Sequence, residues 1–368
     1  MPTTISWAEE TWNPVTGCDR VSRGCDNCYA LTLAGRLKAM EAKRISLGTL
    51  RPEDAKYQTD GDPRTSGPGF GVALHPHALA EPLQRKTPTR WFVPSMSDLF
   101  HPKVPDGFIA RVWDVMGRCP QHQFLIPTKR TPRMRSWVNR WADRTGDAEV
   151  ADKHGFPPGP RGPEAVRDTY TSGRATLFAA MLDSMGTPPE GAAYPTYDWM
   201  EGQRWWPDVL PNVWLGTSVE DQETAETRMQ DLLNTLAIVH WVSVEPLLGP
   251  VDFTPWLDPA LLCRESCQGR PTGQQPSCSV ACRQLAGTMA TPDWFVVGGE
   301  SGLHPRPMSL DWARQIRDDV LAAGVPFHFK QLGTVAAKQL GLTGKGDRWE
   351  DLPAEFQIRE YPRLVTWS

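Results

Sequence analysis

The chain has 368 residues, 40% hydrophobic and 22% charged, which is enough apolar material for a sizeable core and excludes global disorder. Its formal net charge of -4 lacks the polycationic character that drives non-specific binding to nucleic acid. The longest apolar stretches are far shorter than the roughly 20 residues that span a bilayer, and the N-terminus shows no signal peptide. We therefore expect a cytoplasmic protein without membrane association.

Eight short apolar runs recur along the chain, and most are followed by a segment of helical character. In chain order they cover residues 5–12, 70–74, 91–93, 123–126, 212–215, 239–242, 294–297 and 326–329. Short buried strands that alternate with helices predict βαβ units around a parallel sheet. The predicted fold class is α/β: a TIM-like (β/α) barrel, full or partial, in a single domain over residues 1–368.

Two segments interrupt the alternation and are predicted to be insertions. Residues 146–195 are rich in proline and glycine, a composition that opposes regular structure, with one short helix expected near residues 175–185. Residues 256–291 contain four of the eight cysteines.

Polar or special residues stand directly after most of the predicted strands. In a parallel barrel the loops that follow the strands converge on one face, so these residues predict a common site, although any one of them could merely cap the next helix. Lys129, Arg130, Arg306 and Lys330 would supply an anion-binding rim, while isolated charges of this kind are more often solvated. The candidate binding residues are Ser97, Asp98, Thr128, Lys129, Ser218, Glu245, Gly298, Gly299 and Glu300.

Cys18, Cys25 and Cys28 form a C-x6-C-x2-C motif, and the helical run 30–40 follows it. Three thiolates on one loop can bind three corners of a [4Fe-4S] cluster and leave the fourth iron open. Zinc is the main competitor, because a C-x2-C pair is also a common zinc knuckle. A structural zinc needs a fourth ligand, however, and no further Cys or His follows until His75. The motif therefore favours a cluster over zinc or free thiols.

The late cysteines Cys263, Cys267, Cys278 and Cys282 form two C-x3-C pairs. Four cysteines in this pattern suit a structural tetrahedral zinc, and two disulfides or an auxiliary cluster remain open alternatives. Cys119, alone before Pro120, is predicted to be a buried small hydrophobe.

Several motifs together resemble a family of bacterial and phage proteins of unassigned function, DUF5131. They comprise Trp12-Asn13-Pro14 with the cysteine motif, Ser95-Met96-Ser97-Asp98, Thr128-Lys129-Arg130, Ser218-Val219-Glu220-Asp221, Glu245-Pro246-Leu247-Leu248-Gly249-Pro250, Gly298-Gly299-Glu300-Ser301-Gly302 and Phe329-Lys330-Gln331. The family is in turn distantly similar to the spore photoproduct lyase branch of radical S-adenosylmethionine enzymes. Two features depart from that superfamily: its usual motif is C-x3-C-x2-C, and its Gly-Gly-Glu follows an early strand.

This resemblance implies a barrel of the radical S-adenosylmethionine type, in which Cys18, Cys25 and Cys28 hold a [4Fe-4S] cluster and the nine strand-end residues line the pocket for S-adenosylmethionine. The cofactor would yield a 5′-deoxyadenosyl radical that acts on a nucleic acid or nucleoside. The alternative is a non-catalytic accessory or binding protein stabilised by zinc. A third hypothesis is a nucleic-acid modification or repair factor that works with a partner protein.

Overall fold

The computed structural model describes residue 3 and residues 5–142, 209–258 and 290–362. Its strands, in chain order, are β1 (Glu10–Thr11), β2 (Val15–Thr16), β3 (Ala73–Leu74), β4 (Arg90–Phe92), β5 (Gln123–Thr128), β6 (Val213–Ser218), β7 (Val239–Val244), β8 (Trp294–Gly298) and β9 (Phe327–Gln331). Seven of them form one sheet in the order β1-β4-β5-β6-β7-β8-β9. Every neighbouring pair in this sheet is parallel.

The apolar run 70–74 is not part of this sheet, so the prediction of eight barrel strands was wrong by one. Its strand β3 pairs antiparallel with β2 in a separate two-stranded sheet, with Val15 opposite Leu74. The backbone N–H of His75 donates to the carbonyl of Pro14 at 2.8 Å. This segment is apolar because it packs beside the cysteine loop, and it does not contribute a layer of the barrel.

The parallel sheet curls into a half-barrel whose two edge strands are linked through the chain termini. Ser6, just before β1, lies 2.8 Å from Nε2 of His328 in β9, and the hydroxyl of Tyr361 donates to the carbonyl of Ser6 at 3.0 Å. The sequence prediction of a mixed α/β fold with a partial barrel is confirmed at this level.

Helices cover the convex face of the sheet and connect successive strands. They are α1 (Tyr29–Ser46), α2 (Glu81–Gln84), α3 (Asp106–Gly117), α4 (Thr131–Ala142), α5 (Gln222–Leu233), α6 (Thr254–Leu257), α7 (Leu310–Ala322) and α8 (Thr334–Gln339). The predicted helix after the cysteine motif is confirmed as α1. Helix α5 begins at a capping box in which Asp221 accepts from the backbone N–H of Thr224. No helix in the described ranges is long and apolar enough to cross a membrane.

Two hydrophobic layers follow from the period-two alternation of the strands. Phe124, Leu215, Val242 and Phe295 point to the convex face and pack in the large core that includes the helices. The alternate positions fill the concave face with a tryptophan-rich cluster that contains Trp7, Trp214, Trp241 and Trp294. Tryptophans therefore make up much of this inner layer. Cys119 is also buried, at 1% exposure, as predicted.

The two predicted insertions lie almost entirely outside the described residues. This applies to the whole of 146–195, including the helix expected near 175–185, and to most of 256–291 with its four cysteines. Those assignments stay predictions.

Candidate functional site

The cysteine loop, residues 12–28 between β1 and α1, lies across the carboxyl ends of the parallel strands. It is fixed first to the segment after β4: the N–H of Gly17 donates to the carbonyl of Met96 at 2.9 Å, and the hydroxyl of Ser97 donates to the carbonyl of Gly17 at 2.5 Å. Asn13 bonds the side chain of Ser95 and the backbone of Met96. The barrel face that carries active sites in this architecture therefore carries the cysteine motif.

The three thiols of the loop are free and partly buried. Burial, together with the negative charges of Asp98 and Cys25, raises the pKa of Cys18 to about 12 despite the opposing effect of Arg130. Burial also raises the pKa of Cys28, with Cys25 again contributing. Cys25 therefore lies within electrostatic range of both other sulfurs.

The sulfurs already receive hydrogen bonds from the protein. Burial alone would raise the pKa of Cys25, but the charge of Lys129 and the backbone N–H groups of Val21 and Ser22 lower it overall. Cys28 is approached by the N–H groups at the start of α1. For Cys18 the donor is a side chain, Arg130, whose Nη1 lies 3.4 Å from the sulfur. Such N–H···S contacts stabilise thiolates and are a regular feature of iron-sulfur ligation.

Three carboxylates at strand ends hold the loop, and we call them the first, second and third clamps. The first clamp is Asp98 with Arg130. Asp98 accepts from the Thr128 hydroxyl at 2.7 Å and from the backbone N–H of Lys129 at 3.1 Å, and it pairs with Arg130 at 2.9 Å. Arg130 in turn donates to the carbonyl of Asp19 at 2.9 Å. This clamp therefore grips the loop at Cys18 and the residue after it.

The second clamp is Glu220 with Lys129 and Arg228. The Glu220 side chain has no exposed surface, and it pairs with the Lys129 ammonium and with Arg228, the latter at 3.0 Å. Its Oε1 accepts from the hydroxyl of Ser22 at 3.0 Å. A Cβ on Gly24 would lie 2.4 Å from the same oxygen, so only glycine permits this approach. The clamp grips the loop immediately before Cys25.

The third clamp is Glu300 with Arg306. Glu300 accepts from the backbone N–H of Arg306 at 2.7 Å and from its guanidinium, and also from the side-chain amide of Asn27 at 3.0 Å. Burial alone would raise the pKa of Glu300, yet these hydrogen bonds from Arg306 and Asn27 lower it. Arg306 also donates to the carbonyl of Arg23 at 2.8 Å. The loop is thus held on both sides of Cys25 and next to Cys28.

Two further features occupy the same edge of the sheet. Glu245, directly after β7, forms an ion pair with Lys330 of β9, and its Oε1 is buried without a hydrogen-bond partner among the described residues. The Tyr29 hydroxyl donates to the carbonyl of Ser95 at 2.6 Å, while 49% of this residue stays exposed.

The structure brings most of the predicted strand-end residues to this edge but shows what several of them already contact. Ser97, Asp98, Thr128, Lys129 and Glu300 bond the cysteine loop or one another. Gly299 is packed so closely that a Cβ would lie 2.2 Å from the carbonyl oxygen of Leu332. Gly298 ends β8 and Ser218 ends β6. Contact of these nine residues with a cofactor stays a prediction.

The four cations of the predicted anion-binding rim already form ion pairs within the protein. Lys129, Arg130, Arg306 and Lys330 are each paired with a carboxylate: Glu220, Asp98, Glu300 and Glu245 respectively. Sequence reasoning also missed Ser22, Asn27 and Arg228 as members of the clamps. Ser22 and Asn27 could have been suspected from their places within the motif, whereas nothing in the sequence singles out Arg228 on α5.

The histidines near the loop contact side chains of the loop other than the cysteines. His75 lies 2.7 Å from the hydroxyl of Thr16, and burial lowers its pKa to about 4. His101 contacts Asp19 at 3.0 Å. In the described ranges no group of three or more His, Cys, Asp or Glu side chains, the three loop cysteines included, is arranged to hold one metal ion. The late cysteines lie outside those ranges.

No curated protein and no solved structure matches the chain significantly. The model of a family described as a protein of unknown function, DUF5131, matches residues 2–354, and the chain therefore belongs to the DUF5131 family.

Proposed function

We propose that this chain is an enzyme of the radical S-adenosylmethionine type, with a [4Fe-4S] cluster on Cys18, Cys25 and Cys28. The observation that carries the proposal is the cysteine loop itself: three free thiols at the carboxyl edge of a half-barrel, each receiving N–H donors, and all three segments clamped by strand-end carboxylates.

The donor set fits a cluster better than a single zinc ion. A tetrahedral zinc places each sulfur about 2.3 Å from the ion, so its ligands must converge on one point. The described residues contain no such convergent group. A [4Fe-4S] cluster makes a different demand, since each thiolate binds a separate iron atom. Three cysteines and no fourth protein ligand would leave one iron free for S-adenosylmethionine.

The cluster, when bound and reduced, would supply the electron that cleaves S-adenosylmethionine to a 5′-deoxyadenosyl radical. The chain's own part is to hold and shield this chemistry. The three clamps fix the loop, the tryptophan-rich layer closes the barrel beneath it, and Glu245 and Tyr29 present an acceptor and an aromatic ring to what binds above. Ser218, Gly298 and Lys129 would complete the wall around the cofactor.

For the substrate, the structure favours a nucleoside or another weakly charged molecule over a nucleic acid strand. The resemblance to spore photoproduct lyase suggests either. A nucleic acid backbone is recognised chiefly through cations that neutralise phosphates, but the four cations of the predicted anion-binding rim are already paired with carboxylates. The buried Oε1 of Glu245 can accept from an amino or hydroxyl group.

The test is anaerobic reconstitution of the full chain, followed by reduction with dithionite in the presence of S-adenosylmethionine. Iron, sulfide, zinc and 5′-deoxyadenosine would be quantified for the wild type, for Cys25→Ala and for Cys119→Ala, a control that removes a buried cysteine of the core. Because the four late cysteines can also hold metal, the first site is measured as the difference between wild type and Cys25→Ala.

We expect about four irons per chain to be lost in Cys25→Ala but kept in Cys119→Ala, together with formation of 5′-deoxyadenosine that only Cys25→Ala abolishes. Zinc at the first site and no cleavage of S-adenosylmethionine would refute the proposal and leave a zinc-stabilised binding protein.

A further inference from the structure

One side chain of the clamps contacts a sulfur directly. The guanidinium of Arg130 donates through Nη1 to Cys18 Sγ at 3.4 Å and to Asp98 Oδ2 at 2.9 Å, and through Nη2 to the carbonyl of Asp19 at 2.9 Å. Only 11% of its side chain is exposed. The guanidinium therefore contacts Cys18 largely out of solvent, with the paired Asp98 carboxylate supplying the balancing negative charge.

Asp98 fixes the position of the Arg130 guanidinium. One oxygen of that carboxylate accepts from the Thr128 hydroxyl at 2.7 Å and from the N–H of Phe100 at 2.9 Å, and the other accepts from the N–H of Lys129 at 3.1 Å. Asp98 thus cannot turn without breaking bonds to the backbone of two loops. A guanidinium held by such a carboxylate keeps its planar donors aimed at their acceptors.

The sulfurs of the three cysteines receive different kinds of hydrogen-bond donor. Cys25 and Cys28 receive neutral backbone N–H donors, from Val21 and Ser22 and from the start of α1 respectively, and the charge of Lys129 also acts on both. Cys18 receives a charged side-chain donor. A charge-assisted hydrogen bond is roughly twice as strong as a neutral one, so the sulfur of Cys18 would have its charge withdrawn more than the other two.

We infer that Arg130 is a positioning residue that sets the reduction potential of a cluster bound at Cys18. This rests on the proposed function, since it requires a cluster on the loop. Hydrogen bonds to the sulfurs and nearby charge are among the factors that set iron-sulfur potentials. A cation that donates to a ligand sulfur stabilises the reduced cluster, which carries one more negative charge. Arg130 therefore makes the cluster easier to reduce.

The test compares midpoint potentials, measured by dithionite titration followed by electron paramagnetic resonance, on full-length reconstituted protein. The variants are Arg130→Gln, which removes the charge, and Arg130→Lys, which keeps the charge but cannot donate to Cys18, Asp98 and Asp19 together. The matched control is Arg135→Gln, which removes an arginine of helix α4, the helix that begins directly after Arg130; its side chain is 43% exposed and paired with Asp231.

We expect Arg130→Gln to assemble a cluster whose potential is more negative than that of the wild type, with Arg130→Lys in between and Arg135→Gln unchanged. A wild-type potential in Arg130→Gln would overturn the inference. If Arg130→Gln takes up no iron, Arg130→Lys decides: a more negative potential supports the inference, and an unchanged one overturns it. Failure of the wild-type chain itself to bind iron would refute the proposed function, an outcome distinct from an unchanged potential.

Discussion

The second clamp gives the sharpest test of how the strand ends hold the cysteine loop. Glu220 is fully buried between Lys129, 18% exposed, and Arg228, 8% exposed. Glu220→Gln keeps the shape and an acceptor for Ser22 but removes the negative charge between two cations. Removing one partner of a buried ion pair costs about 3–5 kcal/mol. Because Lys129 retains some contact with water, we expect the lower end, about 3 kcal/mol.

Unfolding of the metal-free chain in urea measures this cost directly, and the midpoint of thermal unfolding should fall by roughly 4–6 °C, because the unfolding entropy grows with chain length. The control is Glu226→Gln on the exposed face of α5, which should stay within about 0.5 kcal/mol of the wild type. If Glu220→Gln is as stable as Glu226→Gln, the carboxylate is not needed to neutralise the two cations, and the second clamp as described does not exist.

Three further outcomes follow from the structure. Gly24→Ala would place a Cβ 2.4 Å from Glu220 Oε1, so it should lower the unfolding free energy by about 1–3 kcal/mol and reduce iron uptake, whereas Gly67→Ala, with open space around it, should do neither. Cys25→Ala should lose iron while its urea midpoint stays close to that of the metal-free wild type. Burial lowers the pKa of His328 to about 3 from 6.5, so the folded chain keeps this imidazole neutral where the unfolded chain binds a proton. Its contribution to stability is complete above pH 6.5 and should be lost at up to about 1.4 kcal/mol per pH unit as the pH falls. His328→Phe should flatten that slope in urea unfolding measured at several pH values.

The sequence predicted the strand runs and their polar ends because both depend on local patterns. Buried parallel strands read as continuous apolar runs, and six of the eight proposed runs coincide with or overlap strands β4 to β9, while the first run contains β1. The run 70–74 has the same appearance. Nothing local distinguishes a strand of the barrel from one that pairs with the cysteine loop, since that choice depends on which partner the chain meets.

The sequence predicted where the candidate site lies, but it did not predict which residues its side chains contact. Glu300 was expected to accept from a ligand, yet it accepts from Asn27 and Arg306. The reason is that a carboxylate after a strand can face either a bound molecule or a neighbouring loop. Here the choice depends on a contact between Glu300 and Asn27, which are 273 positions apart in sequence. Arg228 shows most clearly what the sequence alone cannot predict: its contact with Glu220 follows only from how α5 packs beneath that residue.

The clamps also bear on how a cluster would form. Zinc fingers fold only when metal binds, so their binding free energy is folding free energy. Here the loop is anchored by Asp98 after β4, Glu220 after β6 and Glu300 after β8, so its position depends on the curl of the whole sheet. These ion pairs and hydrogen bonds form without metal. The barrel should therefore fold first and present three sulfurs that are already placed, and loss of one thiol should cost the cluster but leave the fold intact.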